Sequence, residues 1–132
     1  MAENTETIKQ GFEAFNSGDS EGVMETWTDD IKWEGSNSDD LPGGGSHEGK
    51  EDVMKMLGEI GEHWESFEAT PDEFFEDGDT VVVLGHSKGK PKEGGEEIEV
   101  PFVHIWRMED GKGKRVQALT DTLVVARALG VA

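Results

Sequence analysis

The chain has 132 residues, of which 33% are hydrophobic, so we expect a single domain with a modest apolar core. Cysteine is absent, which excludes disulfides, thiolate nucleophiles and cysteine-ligated metal centres. The formal net charge of -18, from 30 acidic and 12 basic residues, would repel phosphate backbones and anionic lipid surfaces. Neither nucleic acid nor a membrane is therefore an expected partner.

The acidic residues are spread along the chain between aromatic and β-branched residues, as on the solvated surface of a folded domain. So much carboxylate also suggests adaptation to high salt, in which case the melting temperature should depend on salt concentration. Residues 1–9 lack a basic flank followed by an apolar stretch, and 18 consecutive apolar residues occur nowhere. We expect a soluble, cytoplasmic protein with one domain over 1–132.

Apolar residues at helical spacing predict two helices near the N-terminus. The first covers residues 5–16 and ends at Gly18, with one apolar face formed by Ile8, Phe12 and Phe15. The second is short and follows Asp19, with a buried stripe formed by Val23, Met24 and Trp27. Alternation over residues 31–34 then predicts a strand that places Ile31 and Trp33 on the same side.

Residues 36–49 are rich in Ser, Asp, Gly and Pro, which predicts a long surface loop and a candidate lid over a pocket. Three glycines at 43–45 resemble a phosphate-binding loop, but no Lys-Ser/Thr pair follows and no strand directly precedes them. From Lys50 the pattern is helical again, with an apolar face formed by Val53, Leu57, Ile60 and Trp64.

From Phe67 onward the apolar period is two, which predicts an antiparallel meander. The predicted strands cover residues 67–76, 80–90, 96–107 and 114–120. Asp77-Gly78 and Asp110-Gly111 favour the tight turns between the first and the last pairs of strands. A last short helix begins near Thr122 and ends at Gly130.

Six segments of the chain resemble, in order and spacing, landmarks of the SnoaL-like family in the NTF2-like (ketosteroid isomerase-like) superfamily. They are 12–19 (FEAFNSGD), 27–34 (WTDDIKWE), 49–53 (GKEDV), 74–83 (FFEDGDTVVV), 104–108 (HIWRM) and 120–122 (TDT). The resemblance implies an α+β cone, in which three N-terminal helices cover the concave face of a curved antiparallel sheet and enclose a pocket for a small organic molecule. Because the superfamily hosts both enzymes and non-catalytic binders, the fold alone does not decide the function.

Strand parity assigns the pocket face of the third predicted strand to Ile98, Val100, Phe102, His104 and Trp106. His104 would lie between two aromatic rings, where desolvation disfavours its charged form. It is either a core histidine with a satisfied hydrogen bond or a group that polarises a substrate oxygen. The resemblance implies the second role, because related ketosteroid isomerases carry an acidic oxyanion-hole residue at this strand position.

Asp121 is the second catalytic candidate and lies where the last strand meets the last helix. It is either a helix cap or a general base. The resemblance implies the base, because in SnoaL-type cyclases an acidic residue in this region removes a proton next to a carbonyl. A carboxylate inside an apolar cone would have a raised pKa, which suits a base that works without a metal.

Large aromatic side chains are the candidates for ligand-binding walls, although such residues form the core in most proteins. The predicted ligand-binding residues are Trp33, Trp64, Phe102, Trp106 and Phe15. No metal or other cofactor is expected, because His47, His63 and His86 lack close ligand spacing. His86 shares parity with Val82 and Leu84 and is a candidate for the pocket rim.

The chain departs from the related isomerases at two positions. Their base follows the residue that matches Glu34, where this chain has Gly35, and their tyrosine donor has no counterpart because tyrosine is absent. Steroid isomerisation is therefore not expected. Glu34 is an alternative base, but strand parity sets it opposite Trp33 and favours a side chain that points to solvent.

Two functions remain in view. One is a cofactor-independent cyclase, isomerase or lyase that acts on a small apolar carbonyl compound, with Asp121 as base and His104 as the polarising group. The other is a non-catalytic binding module with the same pocket. In either case the resemblance implies a homodimer through the outer sheet face, where Val103 and Ile105 supply apolar surface.

Overall fold

The structure is a computed structural model that describes residues 3–36 and 41–131. None of the helices in these residues combines the length and the apolar content needed to cross a lipid bilayer. The helices are α1 Glu3–Ser17, α2 Ser20–Glu25, α3 Lys50–His63 and α4 Thr122–Ala128. The strands are β1 Trp27–Glu34, β2 Ser46–Glu48, β3 Trp64–Asp77, β4 Thr80–Pro91, β5 Ile98–Glu109 and β6 Lys112–Thr120.

The six strands form one curved, unclosed sheet in the order β2-β1-β6-β5-β4-β3, which confirms the predicted α+β cone. The predicted meander is present as β3 to β6, and each of its neighbouring pairs is antiparallel. One pair departs from the antiparallel arrangement, because β1 pairs with β6 in parallel. Helices α1 and α3 pack against β1, β3 and β6 and cover the concave face.

Two tryptophans that were predicted in helices instead begin strands. Trp27 is the first residue of β1 because α2 has already ended, with the Thr26 hydroxyl donating to the Val23 carbonyl at 2.7 Å. Trp64 is the first residue of β3 and has extended dihedral angles, φ -117° and ψ 134°. Both predictions were wrong for the same reason: a buried residue one turn after an apolar helical position fits helical spacing whether or not the helix continues.

The predicted loop over residues 36–49 contains the short strand β2, which pairs with β1. Of the candidate lid, residues 37–40 lie outside the described residues. The described part of this loop runs back along the end of β1, where the Gly35 N–H donates to the Gly45 carbonyl at 2.8 Å. This backbone pairing brings residues 41–43 next to the concave face of the sheet.

Both ends of α1 are tied to β3 by side chains. At the C-terminal end the Asn16 amide makes two hydrogen bonds with the backbone of Ala69, at 2.8 and 3.0 Å. At the N-terminal end the backbone N–H and the hydroxyl of Thr5 donate to the Glu76 carboxylate at 2.9 and 2.7 Å. The hydroxyl contact holds the pKa of Glu76 below its ordinary value. The helix is therefore fixed over the sheet at both ends.

Aromatic rings of neighbouring strands pack directly against three inward-facing glycines. A Cβ at Gly89 would lie 2.7 Å from Trp64 Cε3, and one at Gly113 would lie 2.7 Å from Trp106 Cζ3. A Cβ at Gly85 would collide with the Phe102 ring and with the Thr70 carbonyl oxygen. Because these positions lack a side chain, the rings approach the sheet backbone closely, and space remains between the sheet and the helices.

Candidate functional site

A cavity of about 180 Å³ lies between the concave sheet face and helices α1 to α3. Its walls are mostly apolar and include Met56, Leu57 and Ile60 of α3. All five residues predicted to bind a ligand, and also His104, are among the lining residues, although their contact with a ligand stays a prediction. The aromatic lining residues are Phe12, Phe15, Trp27, Trp33, Trp64, Phe67, Phe102 and Trp106.

The cavity has a deep end and a mouth. The lining residues of the deep end, among them Ile8, Trp27 and Trp106, are almost fully buried. The lining residues of the other end are partly or fully exposed and belong to the loop after β1, the end of β6 and α4. Along β5 the cavity runs from Trp106 to Val100, a distance of about 20 Å at the rise of a strand. The cavity is therefore elongated along β5.

His104 lies at the centre of this wall, within a shell of aromatic rings. Its ring centroid is 4.8 Å from Phe102, 5.5 Å from Phe12 and from Trp33, and 6.1 Å from Trp106. The side chain keeps some accessible surface, which faces the cavity, but protein surrounds it, and this burial lowers its pKa to about 4. The imidazole is therefore neutral near pH 7 and brings no charge into the cavity.

Two residues that line the cavity each have a buried polar atom without a hydrogen-bond partner in the described part of the chain. The atoms are Nδ1 of His104 and Nε1 of Trp106, two residues apart on the same face of β5. An unpaired buried polar atom destabilises a protein by about 1–3 kcal/mol, so such atoms tend to mark sites where a ligand or water completes the pairing. The sequence left open a core histidine with a satisfied hydrogen bond, and Nδ1 of His104 makes no such bond within the described residues.

Asp121 is the N-cap of α4. Its Oδ1 accepts a hydrogen bond from the Val124 N–H at 3.2 Å, and the residue is exposed. Both of its neighbours, Thr120 and Thr122, line the mouth of the cavity, but Asp121 itself is not among the lining residues. This placement agrees with the capping interpretation, and the role of Asp121 as a base stays a prediction.

Carboxylates near the cavity are directed elsewhere. Glu34, which was expected to point to solvent, is half-buried and pairs with Arg115 at 2.5 Å. At the next position, a Cβ on Gly35 would collide with the carbonyl oxygen of Gly43. Loop backbone therefore occupies the space into which a side chain at position 35 would project. No Asp or Glu is found among the described residues that line the cavity.

Two further predictions about the pocket wall were wrong. His86 does not reach the rim, because it shares the outer sheet face with Val82 and Leu84 and pairs there with Asp72 at 2.8 Å. Ile98 has the correct strand parity, but it lies at the start of β5 and is not a lining residue. Strand parity tells which face of the sheet a side chain lies on. It does not tell how far along the strand the helices cover that face.

Sequence reasoning missed several lining residues. Phe12 was assigned to a buried helix face and Phe67 to a strand, without a place in the pocket, and both line it. Trp27 was assigned to the wrong element, and Ser87 was not considered. The sequence does contain a signal for Ser87, because it has the same strand parity as Val83 and Gly85 and so lies on the inner face of β4.

The fold and site define a class: an α+β cone that encloses an apolar cavity with two unpaired polar atoms. A family model described as SnoaL-like domain matches residues 8–116 of the chain. The protein therefore belongs to the SnoaL-like family, as the sequence landmarks predicted. No curated protein matches the chain at a significant level.

Solved structures support the same assignment. An NTF2-like protein of unknown function from Burkholderia pseudomallei is 29% identical, with a TM-score of 0.90 over 98% of each chain. TerC, co-crystallised with polyporic acid, is 28% identical, with a TM-score of 0.89 over 97% of this chain and 98% of its own. A protein with a ketosteroid isomerase-like fold from Catenulispora acidiphila is 15% identical, with a TM-score of 0.83 over 96% of this chain and 94% of its own, a likeness of fold alone.

Proposed function

We propose that the protein binds a small, neutral, mostly apolar ring compound in the cavity between its sheet and its helices. The observation that carries this proposal is the cavity itself, which is walled by aromatic and aliphatic side chains and contains few polar groups. Cavities of this kind are where proteins bind small organic molecules.

The size of the cavity supports a ligand of one or two rings. In another protein, an engineered apolar cavity of about 150 Å³ holds benzene. The present cavity, at about 180 Å³, is larger and is extended along β5. A single substituted ring or a small fused pair of rings therefore matches its volume.

Charge supports a neutral ligand. No Lys, Arg, Asp or Glu belongs to the described lining, and His104 is neutral near pH 7. Moving an unpaired charge into such surroundings is strongly unfavourable. The net charge of -18 adds a long-range repulsion of anions. The co-crystallisation of the structural neighbour TerC with polyporic acid supports an organic ligand for a protein of this fold, although the identity of 28% does not carry the ligand over.

The catalytic alternative has one observation in its favour, the unpaired His104 Nδ1 at the cavity wall. In that alternative His104 polarises a carbonyl oxygen and Asp121 removes a proton in a cofactor-free cyclisation, isomerisation or elimination. It is the weaker candidate because the Asp121 carboxylate caps α4 and is exposed to solvent. Binding requires no movement of that carboxylate.

Ligand binding can be measured by thermal shift with a graded series of benzene, naphthalene and anthracene. We expect the one- and two-ring compounds to raise the melting temperature, because a ligand that binds only the folded state stabilises it by mass action. Ala118→Phe should abolish the shift, since Ala118 lines the cavity and is paired in register with His104.

Gln117→Phe is the matched control, because Gln117 is the preceding residue of β6 and is exposed on the other face. It should keep the full thermal shift. The proposal fails if none of the three compounds stabilises the wild-type protein, or if Ala118→Phe is stabilised as much as Gln117→Phe.

Replacement of Asp121 separates capping from catalysis. Asp121→Ala should increase hydrogen exchange of the Val124 and Val125 amides, because losing an N-cap destabilises a helix by about 1 kcal/mol. Asp121→Asn should restore protection, since asparagine also caps helices. Ligand affinity should be unchanged in Asp121→Asn. A large loss of affinity or of any detected turnover in Asp121→Asn, with α4 still protected, would favour the catalytic alternative.

We also propose that the outer face of the sheet forms a homodimer. Its apolar residues are neighbours in register, as in the pairs Val82 with Ile105 and Leu84 with Val103, and all four are partly exposed. Because each copy carries a charge of -18, association should strengthen as salt screens the repulsion. Sedimentation should find a dimer at micromolar concentration and a monomer for Ile105→Glu. A wild-type monomer at high salt would contradict this proposal.

A further inference from the structure

Among the tryptophans that line the cavity, Trp106 is the one whose indole N–H is both buried and unpaired in the described part of the chain. Trp106 is 5% exposed, and its Nε1 has no hydrogen-bond partner among residues 3–36 and 41–131. An indole N–H only donates, whereas either nitrogen of a neutral imidazole donates or accepts according to its tautomer. Whatever pairs with Trp106 must therefore supply an acceptor.

The packing of Trp106 fixes which edge of its ring is free. The Cε3 and Cζ3 edge packs on Gly113 of β6, since a Cβ there would lie 2.8 and 2.7 Å from these two atoms. The edge that carries Nε1 is the opposite edge of the indole ring, and it is not among the Trp106 atoms that meet Gly113. Trp33 packs edge-on against the same ring, with centroids 5.8 Å apart. Together these contacts fix the Trp106 ring at the deep end of the cavity.

His104 Nδ1 adds a second unpaired position beside the first. Both groups are on the inner face of β5, with ring centroids 6.1 Å apart. A cation is disfavoured here because the indole N–H presents its positive end and no carboxylate lines the described cavity. An anion is disfavoured because no Lys or Arg lines it either.

We propose that Trp106 is the specificity-determining residue of this cavity and selects neutral ring compounds with a carbonyl oxygen, which accepts the indole N–H at the deep end. This inference rests on the proposed binding function and narrows it to one ligand class. A hydrocarbon of the same shape leaves the indole N–H unpaired and loses affinity for that reason. The ligand enters with its oxygen first, and its apolar part lies along Phe102 toward the mouth.

Small probe compounds of matched shape test whether the cavity selects a ligand with a carbonyl oxygen. Acetophenone and α-methylstyrene have nearly the same shape and differ in whether an oxygen or a methylene group is present, and benzoate is a charged analogue of similar size. We expect acetophenone to bind about tenfold more tightly than α-methylstyrene, the effect of one unpaired buried donor. Benzoate should bind more weakly than acetophenone near neutral pH. Dissociation constants can be obtained by calorimetry or from quenching of tryptophan fluorescence.

NMR spectroscopy can connect the preference for acetophenone to the Trp106 side chain. The chain has four tryptophans, so four indole N–H signals are expected in a nitrogen-15 correlation spectrum. Acetophenone should move one signal downfield, Trp106→Phe should remove that signal, and α-methylstyrene should leave it near its free position. This measurement on the wild-type protein does not depend on how well the variant folds.

Two tryptophan variants complete the experiment. Trp106→Phe should reduce the tenfold preference to less than about twofold while α-methylstyrene still binds, because the ring is kept and the donor is lost. Trp64→Phe should keep the preference, because Trp64 packs on Gly89, which pairs with Ile98 at the opposite end of β5 from Trp106.

The outcomes are distinguishable. Equal affinity of acetophenone and α-methylstyrene for the wild-type protein, or tightest binding of benzoate, would overturn this inference and leave the proposed function standing. A preference that survives in Trp106→Phe would also overturn it. If neither neutral compound binds, the proposed function fails and this inference fails with it.

Discussion

His104 is expected to reduce the free energy of unfolding by about 3 kcal/mol as the pH falls from 6.5 to below 4. In the unfolded chain the imidazole takes up a proton near pH 6.5, whereas burial lowers its pKa in the folded protein to about 4. Between these values the unfolded state binds more protons, so acidification favours unfolding. The stabilising contribution of the neutral imidazole is complete above pH 6.5 and is lost as the pH falls to about 4.

Urea denaturation of wild type and His104→Phe at several pH values isolates this effect. Carboxylates also titrate in acid, but they are common to both proteins and cancel in the difference. We expect His104→Phe to be at least as stable as wild type near neutral pH, because an apolar ring removes the unpaired Nδ1. The free energy of unfolding of His104→Phe minus that of wild type should be larger at pH 5 than near neutral pH, by about 2 kcal/mol. Parallel stability curves for the two proteins would show that His104 is not desolvated.

Gly85→Ala is expected to destabilise the protein by up to about 3 kcal/mol and to weaken ligand binding. The added Cβ would collide with the Phe102 ring and with the Thr70 carbonyl oxygen of the neighbouring strand. A ring relieves a collision by rotating, but the backbone oxygen is held in the β3–β4 ladder. Displacement of Phe102, whose centroid is 4.8 Å from His104, would also narrow the cavity.

Gly61→Ala is the matched control. Gly61 is an exposed residue of α3, and nothing lies within 4 Å of the Cβ it would gain. The same substitution should therefore stabilise the protein, by about 0.5–1 kcal/mol, because alanine favours helix over glycine. Urea denaturation and binding of acetophenone measure both consequences. Gly85→Ala with wild-type stability and affinity would mean that the Phe102 ring does not depend on close contact with the sheet.

The fold could be predicted from the sequence because its signals are local or are ordered along the chain. The Asp77-Gly78 turn joins β3 to β4 as predicted, and Gly18 and Gly130 end their helices with positive φ angles of 77° and 76°. Strand parity also placed Phe102, His104 and Trp106 together on the concave face of β5. Turn formation and alternation depend on neighbours in sequence, so they can be predicted before any tertiary contact is known.

The site could be predicted only in part, because a side chain near a boundary has more than one allowed position. Asp121 follows the last strand, and from that place a carboxylate reaches either the cavity or the first turn of α4. Trp27 and Trp64 were expected in helices, although helix ends and strand beginnings are not separated by periodicity. In all three cases the outcome depends on packing between distant segments.

The sequence by itself determined the α+β layout, with the cone implied by the family resemblance, the absence of cysteine chemistry, the acidic net charge and the identity of the central histidine. Only the tertiary structure decided that Asp121 caps a helix, that Gly43 backbone fills the space beside Gly35, and that Trp106 Nε1 and His104 Nδ1 are left unpaired at the cavity wall. The physical reason is that composition and period are properties of neighbouring residues. An unpaired buried atom, in contrast, is defined by every group that packs around it, and those groups come from the whole chain.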